Sequence, residues 1–177
     1  MPSPHAPSLP DDLFLIEVED ATRRVTTRTL DVSRSPAMLL SFAANHFTEA
    51  ASRYFKSQYD LGAIDWRLLF FFARNPGGTA ALAARTIGID KGAVSRSLQR
   101  LVEADLVVAG DLHPNGRSRG WTLSKQGHKL HGRMLRVALD RQKQVLRGFT
   151  PAEIESFCDF LQRFLANLAA MNADSET

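Results

Sequence analysis

The sequence predicts a mainly α-helical fold with a small two-stranded β-wing, in which a helix-turn-helix is followed directly by a hairpin. Residues 79–101 contain two helical patterns separated by Ile87-Gly88-Ile89, and a glycine suits a tight turn between helices. Residues 106–123 then contain two apolar runs on either side of His113-Pro114-Asn115-Gly116, which is a turn sequence. We therefore predict a winged helix-turn-helix over about residues 61–123.

The second helix of this pair begins after Asp90, a good N-cap, and has two different sides. Val94, Leu98 and Leu101 fall at i, i+4 and i+7, so they form an apolar stripe that faces a core. The opposite side carries Arg and Gln, which make bidentate contacts to base edges, together with Lys and Ser, which donate to phosphates. There we expect DNA contacts from Lys91, Ser95, Arg96, Gln99 and Arg100, with Ser97 as a further phosphate donor.

The hairpin after this helix is the predicted wing. Its first strand is expected near Leu106 to Ala109, and its returning strand at Arg119 to Leu123. Arg117 and Arg119 stand near the tip, where cationic side chains suit a DNA minor groove. We therefore expect both arginines to contact DNA.

Length and composition favour a single globular protein. A chain of 177 residues, 44% of them hydrophobic, is long enough for one domain with a core. Its longest dense apolar run, residues 68–73, is far shorter than the roughly 18 to 20 residues that span a membrane. The N-terminus lacks the basic and apolar regions of a signal peptide, so we expect a cytoplasmic protein. One cysteine, Cys158, excludes an intrachain disulfide.

The positive charge is concentrated in the middle of the chain. Residues 79–149 have 13 Lys or Arg against 5 Asp or Glu, a net charge of +8. Residues 1–78 have a net charge of −1 and residues 150–177 one of −4. A polyanion such as DNA is the natural partner of such a segment, because binding releases condensed counterions. A solvated basic surface is the alternative explanation.

Before the winged helix, residues 1–35 are expected to be an N-terminal extension that is flexible in part. Leu13 to Val18 and Val25 to Leu30 have the composition of short strands, although the residues between them also permit an irregular helix. We expect this extension to pack on the domain or on a partner subunit, because Ile16 would otherwise be part of an exposed apolar patch.

Clear helix starts divide the rest of the chain. Ser35-Pro36 begins a helix that is expected to reach about Tyr59, and another begins between Ala63 and Asp65 and ends before Asn75. Ser124 caps a helix that extends to about Leu146.

The last helix begins with a capping box, Thr150-Pro151-Ala152-Glu153. Its apolar residues repeat at alternating spacings of three and four, which is typical of a seam between helices. The seam predicts a dimer interface formed by Ile154, Phe157, Leu161, Phe164 and Leu168.

With these elements in place, the chain resembles the MarR family of winged-helix transcription factors over about residues 36–170. The resemblance rests on the order and spacing of several short motifs, none specific alone. They are Leu61 with Asp65-Trp66-Arg67-Leu68-Leu69, Leu82-Ala83, Ile87-Gly88-Ile89-Asp90-Lys91, Val94-Ser95-Arg96 through Leu101, and Leu123-Ser124-Lys125-Gln126-Gly127.

The resemblance implies a homodimer that binds a pseudo-palindromic operator in double-stranded DNA, as a repressor or, less often, an activator. Residues 36–177 would then form the MarR-like domain, with dimerisation helices at about residues 36–59 and 124–171. Small, often aromatic acids bind this family between the first two helices and the helix after the wing. The matching ligand-binding candidates here are His46, Arg53, Tyr54 and Trp66.

The wing tip departs from the family pattern, because Gly116 stands where an Asp usually precedes the family's arginine, here Arg117. A carboxylate normally holds a guanidinium in a fixed orientation. We therefore expect a more mobile wing that contributes less to minor-groove binding.

Other functions fit the sequence less well. A winged-helix module that binds proteins, without specific DNA binding, is the main alternative. The sequence shows no paired nucleophile and base and no phosphate-binding glycine loop, so we expect no enzymatic activity. The five histidines are scattered, so we expect neither a metal site nor a cofactor. Cys158 lies beside the seam, where a buried structural role is expected rather than redox sensing.

Overall fold

The computed structural model describes residues 9–112 and 118–175, and this part of the chain is mainly helical with small antiparallel sheets. The helices are α1 (Pro36–Tyr59), α2 (Ala63–Arg74), α3 (Ala80–Ile87), α4 (Lys91–Glu103), α5 (Lys125–Val145) and α6 (Pro151–Ser175). The strands are β1 (Leu15–Asp20), β2 (Val25–Leu30), β3 (Gly78–Thr79), β4 (Val107–Leu112) and β5 (Arg119–Leu123). The predicted fold class is confirmed.

The chain divides into two compact units, and α2 and α4 each contribute residues to both. The first unit comprises Met1–Phe71 and Ala80–Gln99. The second comprises Phe72–Thr79 and Arg100–Thr177.

The first unit begins with an antiparallel hairpin of β1 and β2, which decides between the two interpretations of the N-terminal extension. Leu15 pairs with Leu30 at its base and Asp20 pairs with Val25 near its turn. The Asp20 carboxylate accepts the backbone N–H groups of Thr22 and Arg23, at 3.0 and 3.1 Å, and so stabilises the turn. The apolar side chains remain outside a core in this chain, since Ile16 is 44% exposed.

The helices of the first unit start where their capping residues predict. The Ser35 side chain accepts from the backbone N–H of Met38, and Pro36 follows it at the first position of α1. Gly88 has φ +72, which is the left-handed conformation that a turn after α3 requires. Among the described residues of this unit, ten apolar side chains are buried, namely Ala51, Phe55, Leu61, Leu68, Leu69, Phe71, Ala83, Ala84, Val94 and Leu98.

The second unit contains a three-stranded sheet in the order β3-β5-β4. The returning strand of the wing is confirmed as β5, whereas β3 was not expected. The first helical pattern was expected to begin at Thr79, but Thr79 pairs with Gly120 in this sheet and α3 begins at Ala80. Gly120 is needed there because a Cβ atom would lie 2.8 Å from the carbonyl oxygen of Gly77. Of the two helices that lie wholly in this unit, α5 begins and ends about where it was predicted, whereas α6 extends to Ser175, beyond the expected end at about residue 171.

Ser124 and Gly127 attach the start of α5 to the residues that follow α4. The Ser124 hydroxyl donates to the carbonyl of Asp105 at 2.5 Å and accepts the backbone N–H of Gly127 at 2.9 Å. A Cβ atom on Gly127 would lie 2.0 Å from the carbonyl oxygen of Leu106, so only glycine fits. The serine is thus both a helix cap and a link between segments.

The capping box at the start of α6 is confirmed. The Thr150 hydroxyl accepts the backbone N–H of Glu153 at 3.3 Å, and the Glu153 carboxylate accepts the backbone N–H of Thr150 at 2.7 Å. The bonds that the carboxylate accepts from the backbone N–H and, at 2.8 Å, from the hydroxyl of Thr150 lower the pKa of Glu153 below its ordinary value. In the part of the chain that the structure describes, no helix combines the length and the apolarity needed to cross a membrane.

Candidate nucleic-acid interface

The helix α4 separates its side chains into a packed side and an exposed side, as the sequence predicts. Its N-terminus is capped by Asp90, whose carboxylate accepts the backbone N–H of Ala93 at 2.9 Å. Val94 and Leu101 are 0% and 1% exposed, so the packed side is fully enclosed. All five of the predicted contact residues on this helix are exposed: Lys91, Ser95, Arg96, Gln99 and Arg100. The helix therefore presents cations, an amide and a hydroxyl together.

Gly92 leaves room beside the Arg96 side chain. A Cβ atom at Gly92 would lie 3.4 Å from Nη1 of Arg96 and 3.1 Å from the carboxylate of Asp90. The guanidinium group therefore lies back along the first turn of α4. Since Arg is the commonest side chain to contact guanine, this exposed group is the strongest single candidate for base recognition.

Ser97 does not belong to the exposed side, so its interpretation as a phosphate donor was wrong. It is 0% exposed, and its hydroxyl donates to the Asp65 carboxylate in α2. A signal for this was present in the sequence. Ser97 lies three residues after Val94 and four before Leu101, which places it within the apolar stripe.

Asp65 is the structural residue that the sequence interpretation did not identify. Its side chain is 5% exposed, and its other oxygen accepts the backbone N–H of Gly62 at 2.8 Å, just before α2 begins. One carboxylate thus caps α2 and holds the middle of α4. The orientation of α4 relative to α2 depends on this pair.

The wing strands β4 and β5 are antiparallel. Val107 pairs with Leu123, and an irregularity in the pairing lies between Ala109 and Leu112. Arg119 begins β5, and its side chain is exposed, as DNA contact requires. Arg117 and the expected mobility of the wing tip lie outside the described residues.

The ligand-binding candidates fall into two pairs. The rings of Tyr54 and Trp66 both contact Phe55, with centroids 5.7 and 5.3 Å away. His46 and Arg53 lie on an exposed part of α1, and the Arg53 guanidinium donates to Glu49 at 2.5 Å. Of the four candidates, only Tyr54 and Trp66 therefore contact the same residue, Phe55.

Two buried polar atoms lie on the same helices as these aromatic residues. Within the described residues, Oγ of Ser52 on α1 and Nε1 of Trp66 on α2 have no hydrogen-bond partner. A buried polar atom without a partner costs about 1 to 3 kcal/mol. Both atoms are therefore suited to a polar ligand group.

The predicted seam of α6 is only partly covered. Ile154, Leu161, Phe164 and Leu168 are half-buried, whereas Phe157 is 44% exposed. Further large apolar side chains on this helix are exposed: Phe160, Leu165 and Met171. Cys158 is also exposed in the single chain. Such a helix requires cover from another surface.

The histidines of α5 do not complete a metal site in the part of the chain described, which contains no cluster of three or more His, Cys, Asp or Glu side chains. His131 is half-buried, and its pKa is lowered by burial and by the nearby His128. A neutral imidazole at this position is therefore favoured over the charged form.

Comparison with known proteins gives a family match for the winged helix. Residues 59–118 match the sequence model of the MarR family. These residues, about a third of the chain, contain α2, β3, α3, α4 and β4. No curated protein matches the chain.

Solved structures match most of the chain at low sequence identity. A MarR/EmrR family transcriptional regulator from Acinetobacter sp. ADP1 is 20% identical with a TM-score of 0.73, and the match covers 80% of this chain and 99% of the other. A putative MarR family regulator from Listeria monocytogenes, complexed with 26mer DNA, is 20% identical with a TM-score of 0.71, covering 77% and 90%.

The MepR–DNA complex of S. aureus is 16% identical with a TM-score of 0.64, covering 76% of this chain and 96% of the other. Each likeness concerns the fold, and two of the three structures contain DNA. The resemblance to the MarR family is thus confirmed over the winged helix, and the chain has the fold of MarR-family transcriptional regulators.

Proposed function

We propose that this protein is a homodimeric transcriptional repressor that binds a pseudo-palindromic operator through α4. The observation that carries the proposal is the exposed side of α4, where Arg96, Gln99 and Arg100 lie beside Lys91 and Ser95. In a helix-turn-helix dimer, two such helices enter successive major grooves about 34 to 36 Å apart. The neighbours that were solved with DNA have the same fold and support this use of it.

Selection of bound duplexes from a random pool tests the proposal. We expect an inverted repeat whose half-sites are about 10 base pairs apart, centre to centre. Absence of enrichment would instead favour the module that binds proteins without specific DNA binding. The comparison with transcriptional regulators gives no support to an enzymatic role.

Variants then distinguish base contacts from backbone contacts. Arg96→Ala should lower specific affinity by about 1 to 3 kcal/mol, because it removes a bidentate base contact. Arg117→Ala should mainly reduce the salt dependence of binding, by about 0.9 in the log–log slope for each phosphate that the protein no longer neutralises. Arg163→Ala, on α6, is the control for removal of one exposed positive charge. Equal binding by all three variants would contradict the assignment.

The dimer is proposed to form through the seam of α6. The half-buried apolar residues and the exposed Phe157 favour a second copy as the missing cover. Leu161→Asp should convert the dimer to a monomer in sedimentation velocity, because it places a charge in the seam. Gln162→Asp, at the exposed neighbouring position, is the matched control. A dimer that persists in Leu161→Asp would exclude this interface.

Relief of repression by a small aromatic acid is the second part of the proposal. Tyr54 and Trp66 offer ring contacts, Trp66 Nε1 offers a donor, and Arg53 and His46 are candidates to meet a carboxylate. Binding would lower DNA affinity by changing the separation of the two recognition helices. Benzoic and phenolic acids should raise the melting temperature and release the selected operator. A Trp66→Phe variant that responds equally would contradict the role of the indole.

A further inference from the structure

Most of the positive charge in the middle of the chain lies on α5 and the turn after it, rather than on the winged helix. Residues 79–123 have six Lys or Arg and four Asp or Glu, a net charge of +2. Residues 124–149 have seven Lys or Arg and one Asp, a net charge of +6. The proposed contacts of α4 and the wing therefore leave the larger part of the charge without a function.

The charges of α5 lie along one side of the helix. At about 100° per residue, five of its basic residues fall within a sector of about 80°. We call this the basic stripe, and its members are Lys125, Lys129, Arg133, Arg136 and Lys143. All five are exposed. Asp140, the single acidic residue of α5, falls in the same sector, so the stripe has a net charge of +4.

The packing of α5 keeps the stripe outward. Gly127, Leu130 and Met134 are its buried residues, and their sector is about 130° from the centre of the stripe. At about 1.5 Å per residue, the stripe extends for about 27 Å. It is thus a straight, continuous cationic edge on a helix whose other side is anchored in the protein.

We infer that the basic stripe binds the phosphate backbone of duplex DNA outside the bases that α4 reads. This inference rests on the proposed function, which supplies the duplex. A long row of cations without a pocket matches a partner with regularly repeated negative charge, and a DNA duplex has one charge per about 1.7 Å of axis.

The composition of α5 favours duplex DNA over single-stranded nucleic acids. The helix contains no Phe, Tyr or Trp, whereas proteins that bind single-stranded nucleic acids stack bases mainly on such side chains. Helices that lie on anionic membranes insert bulky apolar residues on one side. On α5 the apolar residues Leu130 and Met134 are buried, whereas Leu135 and Leu139 are 40% and 50% exposed, so binding to vesicles that contain anionic lipid is the measurement that distinguishes a membrane from DNA.

The contact would extend the footprint without adding base specificity. Lysine and arginine contacts to phosphates position a protein on DNA and carry no sequence information directly. Affinity should therefore depend on the length of the DNA on either side of the operator, whatever its sequence.

The test compares a short duplex that contains only the selected operator with a long duplex that has arms of random sequence. The stripe variant carries Lys125→Gln, Lys129→Gln, Arg136→Gln and Lys143→Gln. The control variant removes four exposed arginines elsewhere, through Arg23→Gln, Arg34→Gln, Arg74→Gln and Arg163→Gln. Both variants have four fewer positive charges, and thermal unfolding verifies that both are folded.

For the unmodified protein and the control variant, we expect the long duplex to bind about tenfold more tightly than the short one. For the stripe variant, that gain should fall below about twofold, and the salt slope on the long duplex should fall by about 3. Affinity for the short duplex should change little, because α4 is intact.

Three results would overturn the inference while leaving the proposed function in place. The first is that the arms give the unmodified protein no gain in affinity. The second is that the stripe variant gains as much affinity from the arms as the unmodified protein does. The third is that the control variant loses as much of this gain as the stripe variant. Loss of binding to vesicles that contain anionic lipid, with the DNA gain unchanged, would assign the stripe to a membrane. Failure of the unmodified protein to select any duplex would instead refute the proposed function.

Discussion

Removing the hydroxyl of Ser97 should weaken the fold, even though the residue lies among the proposed DNA contacts. Ser97→Ala deletes the hydrogen bond to the Asp65 carboxylate, at a place where the two residues are 0% and 5% exposed. The carboxylate keeps its bond to the backbone N–H of Gly62. A hydrogen bond to a charged group contributes about 1.5 to 3 kcal/mol, so we expect a loss of about 2 kcal/mol.

Thermal and urea unfolding measure this loss. For a chain of this length, 1 kcal/mol shifts the melting temperature by about 2 to 4 °C, so Ser97→Ala should lower it by about 4 to 8 °C. DNA affinity is measured well below that temperature, where the variant is folded. We expect it to remain close to that of the unmodified protein.

Ser95→Ala is the matched control, since it removes the same hydroxyl two residues earlier on the exposed side of α4. Its stability should change by less than about 0.5 kcal/mol, while its DNA affinity falls by about 1 kcal/mol. An unchanged melting temperature for Ser97→Ala, together with a loss of DNA affinity, would refute the packing argument. Ser97 would then be a phosphate donor after all.

Three further predictions concern α5 and α6. Gly127→Ala should destabilise the protein by about 3 kcal/mol in urea unfolding, because the added Cβ atom would collide with the carbonyl oxygen of Leu106. Gly132→Ala is the control on the same helix: its Cβ atom would meet nothing within 4 Å, so this substitution should stabilise the protein by about 0.5 to 1 kcal/mol. Burial lowers the pKa of His131, so the free energy of unfolding should fall as the pH drops below 6.5, the ordinary pKa of histidine, and should level off below the folded-state pKa. A His131→Asn variant that shows the same fall with pH would exclude His131 as its cause. The pKa of Glu153 is also lowered, so the stabilisation that its carboxylate contributes is present above pH 4.5, the ordinary pKa of glutamate, and is lost as the pH falls through the folded-state pKa. Backbone hydrogen exchange at the start of α6 should accelerate over that pH range. An unchanged exchange rate would contradict the role of the capping box.

Local signals in the sequence predicted most of the fold. Ser35, Asp90, Ser124 and Thr150 each begin a helix at the predicted place, and each accepts the expected backbone N–H group. Such caps depend on residues within three positions of one another, so a single sequence is sufficient to recognise them.

The features that were missed depend on contacts between distant residues. Thr79 and Gly120 pair across 41 positions, and Ser97 and Asp65 across 32. No local pattern identifies the partner in either case. The periodicity of α4 predicted that Val94 is buried, and the same spacing applies to Ser97, but its polar side chain suggested exposure.

The candidate site was predicted in part for the same reason. Periodicity separates the exposed Arg96 and Gln99 from the buried side of α4, so the proposed DNA contacts on this helix follow from the sequence. A ligand site depends on how several elements approach each other. Only Tyr54 and Trp66, of the four candidates, share a neighbouring ring.

The bond between Asp65 and Ser97 has a consequence for the genetics of this protein. Under the proposed repressor function, random mutagenesis followed by selection for loss of repression should recover substitutions at both Ser95 and Ser97, which lie within one turn of α4. The two groups would differ in their suppressors. A substitution that stabilises the fold elsewhere, such as Gly132→Ala, should restore repression to weakened alleles of Ser97 but not to those of Ser95. Growth at low temperature should separate the alleles in the same way.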